Sequence, residues 1–200
     1  MLENGMQQII VPDFIRGLIF DCDGTLVDSM PLHMRAWEYA IRNQGGKWNF
    51  EFVFSMKGMN GRDIVKAYNR ELGLSLDPAK VSSIKQQYFI EHYTEVMPIA
   101  LVVDVVRRYH GVLPMAVASG GSRMNVHREL EHAGMIKYFP IILTADDDVL
   151  PKPAPDIFLE AARLIDVPPA RCQVFEDGDM GLNAARAAGM LVTDVREYGM

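Results

Sequence analysis

Residues 16–29 read Arg16-Gly17-Leu18-Ile19-Phe20-Asp21-Cys22-Asp23-Gly24-Thr25-Leu26-Val27-Asp28-Ser29. The apolar run Gly17–Phe20 breaks off at two carboxylates, Asp21 and Asp23, with Gly24 and Thr25 behind them. An apolar run of this length, bounded by a turn signal, reads as a buried strand of a parallel sheet. Ligands in open α/β sheets bind beyond the carboxyl ends of such strands. Two acids therefore stand where an active site belongs, next to a glycine that lets the backbone turn sharply. Taken alone, Asp-x-Asp-Gly reads equally well as a strand running into an acidic turn. The residues at the ends of the later strands decide between the two.

Downstream of Pro98 the pattern alternates helix and strand. Val102, Val105, Val106 and Tyr109 form a helical stripe closed by Gly111, and Leu113–Ser119 reads as a strand. A helix over 122–132 turns Val126 and Leu130 inward, and a strand spans 140–144. A helix over 156–165 buries Phe158, Ala161, Ala162 and Ile165, ahead of a strand over 172–176. A small-residue helix over 181–188 and a last strand over 191–195 close the chain. Strands separated by helices of this length imply a parallel sheet with right-handed crossovers.

Between the first strand and Pro98 the pattern is helical. Met34, Trp37, Ala40 and Ile41 share one helical face that ends at Gly45-Gly46. The Phe-rich segment 49–56 is ambiguous, and 57–61 reads as a loop. Ile64, Val65, Tyr68 and Leu72 mark another helix. Asp77-Pro78 caps one whose face is Val81, Ile84 and Tyr88. The block reads as a helical insertion into an α/β core.

The 200 residues carry a net charge of −6, so no basic field attracts nucleic acid or an anionic membrane. An anionic substrate would have to be met by local cations or a metal. Cys22 and Cys172 lie in apolar strand-like runs and read as buried thiols of a reducing compartment. Residues 1–12 read as a loose lead-in with neither a basic leader nor a long apolar run, and the expected location is cytoplasmic. The five histidines lack metal-ligand spacing, which disfavours zinc. A serine-hydrolase elbow and a phosphate-binding P-loop are missing from the sequence.

Each strand end then carries chemistry. Asp21 and Asp23 follow the first strand, and Ser119, Gly120 and Gly121 the second. Lys152 lies in the loop after the third, and Glu176, Asp177, Gly178 and Asp179 stand at the fourth. Crowded carboxylates need a hard cation among them, and Mg²⁺ takes oxygen ligands. One carboxylate can attack phosphorus, and another can protonate the leaving alkoxide and later deprotonate water. Ser119 and the amides near Gly120 can bind phosphoryl oxygens at a helix start, and Lys152 can neutralise developing charge. In isolation each of these groups reads as a turn, a cap or a surface residue; together they form one rim.

This set resembles the haloacid dehalogenase superfamily of phosphotransferases, with Asp21–Thr25, Ser119, Lys152 and Glu176-Asp177 looking like its four motifs. The chain looks most like the beta-phosphoglucomutase branch, and its second half resembles bacterial phosphatases of fructose 1-phosphate and 6-phosphogluconate. The resemblance implies an α/β fold: a Rossmann-like parallel sheet with helices on both faces, over 13–29 and 98–200, and an all-helical cap over 30–97. It implies Asp21 as nucleophile and metal ligand, and Asp23 as general acid/base that also touches Mg²⁺ through its carbonyl. Asp177 and Glu176 would complete the metal site, while Ser119 and Lys152 hold the phosphoryl group, with Thr25 and Gly120 beside it. Gly178 departs from the small hydroxyl or Ala common in the branch, and Asp179 reads as a solvated turn residue.

A cap would close over the site and choose the leaving group. The candidate contacts there are His33, Lys57, Asn60 and Arg62. The expected activity is Mg²⁺-dependent hydrolysis of a small sugar phosphate by a monomer or weak dimer, with no nucleic-acid or membrane partner. Hexose-phosphate mutase activity shares every core residue and is kept possible by His33. A non-catalytic phospho-ligand sensor has no need of both Asp21 and Asp23. A haloalkanoic-acid dehalogenase needs neither Mg²⁺ nor a second acid.

Overall fold

A computed structural model describes residues 8–57 and 59–199. The elements run β1 (Gly17–Phe20), β2 (Val27–Asp28), α1 (Met30–Asn43), α2 (Phe50–Ser55), α3 (Gly61–Leu72), α4 (Pro78–His92), β3 (Met97–Pro98) and α5 (Ala100–Tyr109). They continue with β4 (Met115–Ala118), α6 (Arg123–His132), β5 (Ile141–Leu143), α7 (Asp156–Leu164), β6 (Cys172–Glu176), α8 (Asp179–Ala187) and β7 (Leu191–Asp194). The chain divides into two compact units. One runs up to Val27 and resumes at Pro98; the other is Asp28–Met97.

The first unit is an α/β layer structure. Its five strands lie in the order β5-β4-β1-β6-β7, and every pairing is parallel. β1 is central. Phe20 is in register with Val117 on one side and Phe175 on the other, so the ends of β1, β4 and β6 reach one rim together. The chain moves outward from β1 to β4 and β5, then crosses to β6 and β7, which makes the end of β1 the switch point of the topology.

Strand residues are buried on both faces, as a parallel sheet demands. Ile19, Ala116, Ala118 and Val174 pack with Ile157, Phe158, Ala161 and Ala162 of α7 and with Ala184 and Ala185 of α8. In the alternate set, Phe20 stacks on Phe175 at 4.6 Å between ring centroids and meets Phe139 edge-on at 5.7 Å. Val102, Val105 and Val106 of α5 and Val126 and Leu130 of α6 are buried on the faces that their spacing predicts.

The second unit is helical, with a core of Met34, Trp37, Ala40, Ile41, Val53, Ile64, Val65, Tyr68 and Val81. Helices α2, α3 and α4 start at side-chain caps. Asn49 accepts from Phe52 N–H, Asn60 from Arg62 N–H, and Asp77 from Ala79 and Lys80 N–H. The Asn69 amide closes the turn between α3 and α4 by bonding both backbone groups of Leu76, at 2.8 and 3.0 Å.

Several local expectations change. Residues 1–7 of the lead-in lie outside the described residues, but from Ile9 on it is anchored. Ile9 and Val11 are buried, Arg108 donates to Ile9 O and Gln173 to Ile10 O. The ambiguous segment 49–56 is helix α2, because Asn49 caps it and Val53 has a core to enter. Of the loop over 57–61, Gly58 lies outside the described residues and Gly61 already belongs to α3. On α4 it is Phe89, not Tyr88, that is buried with Val81; Tyr88 lies nearer Val81 by helical spacing, but Phe89 is the ring that His33 covers, at 4.3 Å between ring centroids. Cys22 sits just past β1 rather than in it, and Asp179 opens α8 rather than forming a turn. Among the described residues no helix is long and apolar enough to cross a membrane.

Candidate active site

The site grows from the end of β1. Asp21 N–H donates to Phe175 O at 3.0 Å, which carries the sheet pairing one residue past the strand and aims Asp21 at the rim. The chain then turns tightly: Thr25, Leu26 and Val27 N–H groups all point to Cys22 O, and Gly24 N–H donates to Val27 O. Gly24 has φ +79°, and a Cβ there would lie 2.6 Å from Asp177 Oδ2. Glycine is therefore required twice, for the left-handed backbone and for the approach of Asp177.

Lys152 arrives from the loop after β5. Its Nζ lies 2.6 Å from Asp21 Oδ1 and 2.6 Å from Glu176 Oε2, and 4.9 Å from the Phe158 ring centroid. Glu176 is engaged at both oxygens, since Oε1 accepts from Asp177 N–H at 3.1 Å and Gly178 N–H at 2.9 Å. Thr25 is fully buried and its hydroxyl lies 3.4 Å from Asp177 Oδ1. Ser119 is buried at the end of β4, and its Oγ accepts from Gly121 N–H at 3.0 Å. A Cβ on Gly121 would meet Asp23 Oδ2 at 3.0 Å and Ser119 Oγ at 3.2 Å, so these two groups gather around one glycine. Gly120 is exposed on the same loop.

The electrostatics follow from this crowding. Burial, then the charge of Glu176, pushes the Asp21 carboxyl well above the usual carboxylate range, against the pull of Lys152. Burial alone would lower the Lys152 ammonium, but Asp21 and Glu176 more than offset it and hold the lysine charged. Oxygens of Asp21, Glu176 and Asp177 lie within 4.8 Å of one another. When all are ionised, three carboxylates against one ammonium leave two negative charges uncompensated. A divalent, oxygen-seeking cation fits that donor set and that charge.

The sequence-predicted residues thus separate by unit. Asp21, Asp23, Thr25, Ser119, Gly120, Lys152, Glu176 and Asp177 lie together on the rim of the first unit. His33, Lys57 and Arg62 belong to the second. There His33 stacks on Phe89 at 4.3 Å and its Nδ1 lies 2.8 Å from Lys85 Nζ. Lys57 Nζ lies 5.4 Å from the Phe54 ring centroid, and Arg62 is exposed in the first turn of α3. Asn60 caps α3 through its Oδ1. Asp179 pairs with Arg196 at 2.8 Å.

Sequence reasoning missed Lys85, which stands 52 residues from its histidine. It also missed Glu129, fully buried on α6, 3.5 Å from Cys22 Sγ and within 4.8 Å of Asp23. An acid on the inward face beside Val126 and Leu130 is the signal that could have found it.

A parallel sheet whose strand ends gather an aspartate pair, a serine, a lysine and a further acidic pair defines a phosphoryl-handling enzyme. Residues 15–189 match the haloacid dehalogenase-like hydrolases, and the chain belongs to that family. It is 37% identical over 180 residues to the fructose-1-phosphate phosphatase YqaB of Escherichia coli K12, covering 90% of this chain and 96% of that protein. It is 30% identical over 194 residues to protein CbbY of Rhodobacter capsulatus, covering 89% and 84%. The structure of CbbY from Rhodobacter sphaeroides in complex with phosphate superposes with a TM-score of 0.77 at 27% identity, covering 89% and 84%. The protein is a phosphoric monoester hydrolase.

Proposed function

We propose that the protein hydrolyses small phosphorylated sugars, of the fructose 1-phosphate or 6-phosphogluconate type, through an aspartyl-phosphate, with Mg²⁺ as cofactor. The observation that carries this reading is the double ion pair of Lys152, at 2.6 Å to both Asp21 and Glu176, beside Asp177 on one rim. Similarity to a fructose-1-phosphate phosphatase supports the sugar class.

In this reading Asp21 attacks phosphorus, the ester P–O bond breaks, and Asp23 gives its proton to the departing alkoxide. Asp23 then takes a proton from water, whose oxygen attacks the same phosphorus and releases inorganic phosphate and free Asp21. Ser119 and the Gly120 amide orient the phosphoryl oxygens, while Lys152 keeps Asp21 placed and balances charge on the transferring group. Asp21, Asp177 and the Asp23 carbonyl would hold the Mg²⁺, with Glu176 contributing charge; the ion supplies electrostatic stabilisation to the phosphoryl oxygens. The helical unit Asp28–Met97 would act as the cap that selects the leaving group, with His33, Lys57 and Arg62 as its contacts. Two buried thiols outside any disulfide support a reducing compartment, the cytoplasm.

A hexose-phosphate mutase is the second reading, favoured by His33 held against Lys85. A phosphate-release screen of fructose 1-phosphate, 6-phosphogluconate and β-glucose 1-phosphate separates the two. Conversion of the last to glucose 6-phosphate with little free phosphate would overturn the hydrolase reading. Asp21→Asn is expected to abolish turnover while the fold persists, and full rate in excess chelator would contradict the metal's role.

A further inference from the structure

Ser119 and Lys152 reach the site from loops that follow different strands, β4 and β5. Their separation depends on how those two loops are fastened to each other. The backbone supplies two links: Ser119 N–H donates to Leu143 O and Ala145 N–H to Gly121 O, each at 2.9 Å. The remaining links converge on Arg123, the first residue of α6, and on the acids after Thr144. Arg123 N–H donates to Asp146 Oδ2 at 2.8 Å, and Arg123 Nη2 donates to Asp147 Oδ1 at 2.7 Å.

The other oxygen of Asp147 faces its own loop. Oδ2 accepts from Thr144 N–H at 2.8 Å and from the Thr144 hydroxyl at 2.9 Å, and Thr144 is fully buried. One carboxylate therefore grips the loop that runs on to Lys152 and, through Arg123, the loop that begins at Ser119. Burial alone would raise Asp147, but the Thr144 and Arg123 bonds hold it below the usual carboxylate range, so it stays ionised.

We infer that Arg123 and Asp147 form a latch that sets the spacing between Ser119 and Lys152, and are positioning residues for phosphoryl-group binding. The inference rests on the phosphatase reading above. A half-exposed ion pair contributes little to folding. What marks this one is the pair of Thr144 bonds on the same carboxylate, which turns a surface contact into a brace between two site loops. Small displacements of a positioned group carry large kinetic penalties.

The test uses the full chain, p-nitrophenyl phosphate as substrate and inorganic phosphate as competing ligand. Arg123→Met and Asp147→Asn are each expected to raise KM and the phosphate inhibition constant about fivefold, the size of a modest ion-pair loss, with kcat changed less. The double variant should be no worse than either single one, because both break the same brace. Arg123→Lys should recover most of the loss, and the urea midpoint of Arg123→Met should match wild type. A phosphate constant for Arg123→Met within twofold of wild type overturns the latch, as does a double-variant loss equal to the product of the singles. Should Asp147→Asn fail to fold, Arg123→Met decides alone, since its side chain is half exposed. A wild-type protein that neither cleaves the aryl phosphate nor is inhibited by phosphate overturns the phosphatase reading, and the latch with it. That outcome is distinct from an active wild type with unaffected variants.

Discussion

Gly181→Ala tests the placement of Glu176. Gly181 is buried in the first turn of α8, and its φ lies outside the left-handed region, so the backbone itself accepts alanine. In an ordinary helix this change stabilises by about 0.5–1 kcal/mol. Here the added Cβ would lie 2.0 Å from Glu176 Oε2 and 2.2 Å from Cδ, so the carboxylate must move by about an ångström or more to restore normal contact. That oxygen is the one bonded to Lys152, and the same carboxylate caps Asp177 and Gly178 N–H. Overpacking costs about 1–3 kcal/mol, and a lost bond to a charged group about 1.5–3 kcal/mol. Set against the helix gain, the net is roughly 3 kcal/mol of destabilisation. With Lys152 released from one of its two partners, kcat/KM should fall about a hundredfold. Urea unfolding and initial rates on p-nitrophenyl phosphate measure both. Gly178→Ala is the graded control: its Cβ would stand 3.2 Å from Glu176 Oε1, close enough to need a small adjustment only. If Gly181→Ala is as active as wild type and equally or more stable, Glu176 does not fill that space and its anchoring of Lys152 is wrong.

Both thiols should resist a disulfide exchange reagent in the folded protein and react once it is unfolded. Burial pushes Cys172 up to about 11, and burial with the charge of Glu129 pushes Cys22 well above its ordinary value. Reaction of either at the rate of a free thiol would contradict their burial. Asp147 has a depressed folded-state pKa, so its stabilising contribution is present above the unfolded value of 3.8 and is lost as pH falls through the lower folded value. The stability gap between wild type and Asp147→Asn, read by urea titration, should therefore be largest near neutrality and close in strong acid; a gap that widens there refutes the sign. Asp77→Ala removes the cap that accepts from Ala79 and Lys80 N–H, and should cost about 1 kcal/mol of stability. An unchanged midpoint would mean that α4 does not depend on it.

Much of the fold was readable because its signals are local. Runs such as Gly17–Phe20 and Cys172–Glu176 announce strands, and spacings such as Val102, Val105, Val106 announce helix faces. Errors fell where two neighbours compete for one face. Tyr88 and Phe89 are adjacent aromatic residues on α4, and only packing against the other helices decides which turns inward. The sequence does not reveal that the Asn60 oxygen is bonded to Arg62 N–H, because a cap and a ligand contact call for the same side chain. The lead-in reads as loose because the groups that hold Ile9 O and Ile10 O, Arg108 and Gln173, stand far along the chain. Glu129 escaped notice because an acid within a helix is ordinarily solvated, and this one faces Cys22.

By itself the sequence determined the α/β class, the family, the helical insertion and the residues that end each strand, since periodicity and turn chemistry act over a few positions. Tertiary structure alone decided that β1 lies at the centre, between β4 and β6, and therefore that Lys152 reaches Asp21 across 131 residues. It also decided that Glu176, at the end of β6, lies against Gly181 of the following helix α8, and that Arg123 meets Asp147 between two loops. These contacts join groups whose separation along the chain carries no signal of distance. Strand order and rotamer choice bring them together, and both are set by how the whole core packs.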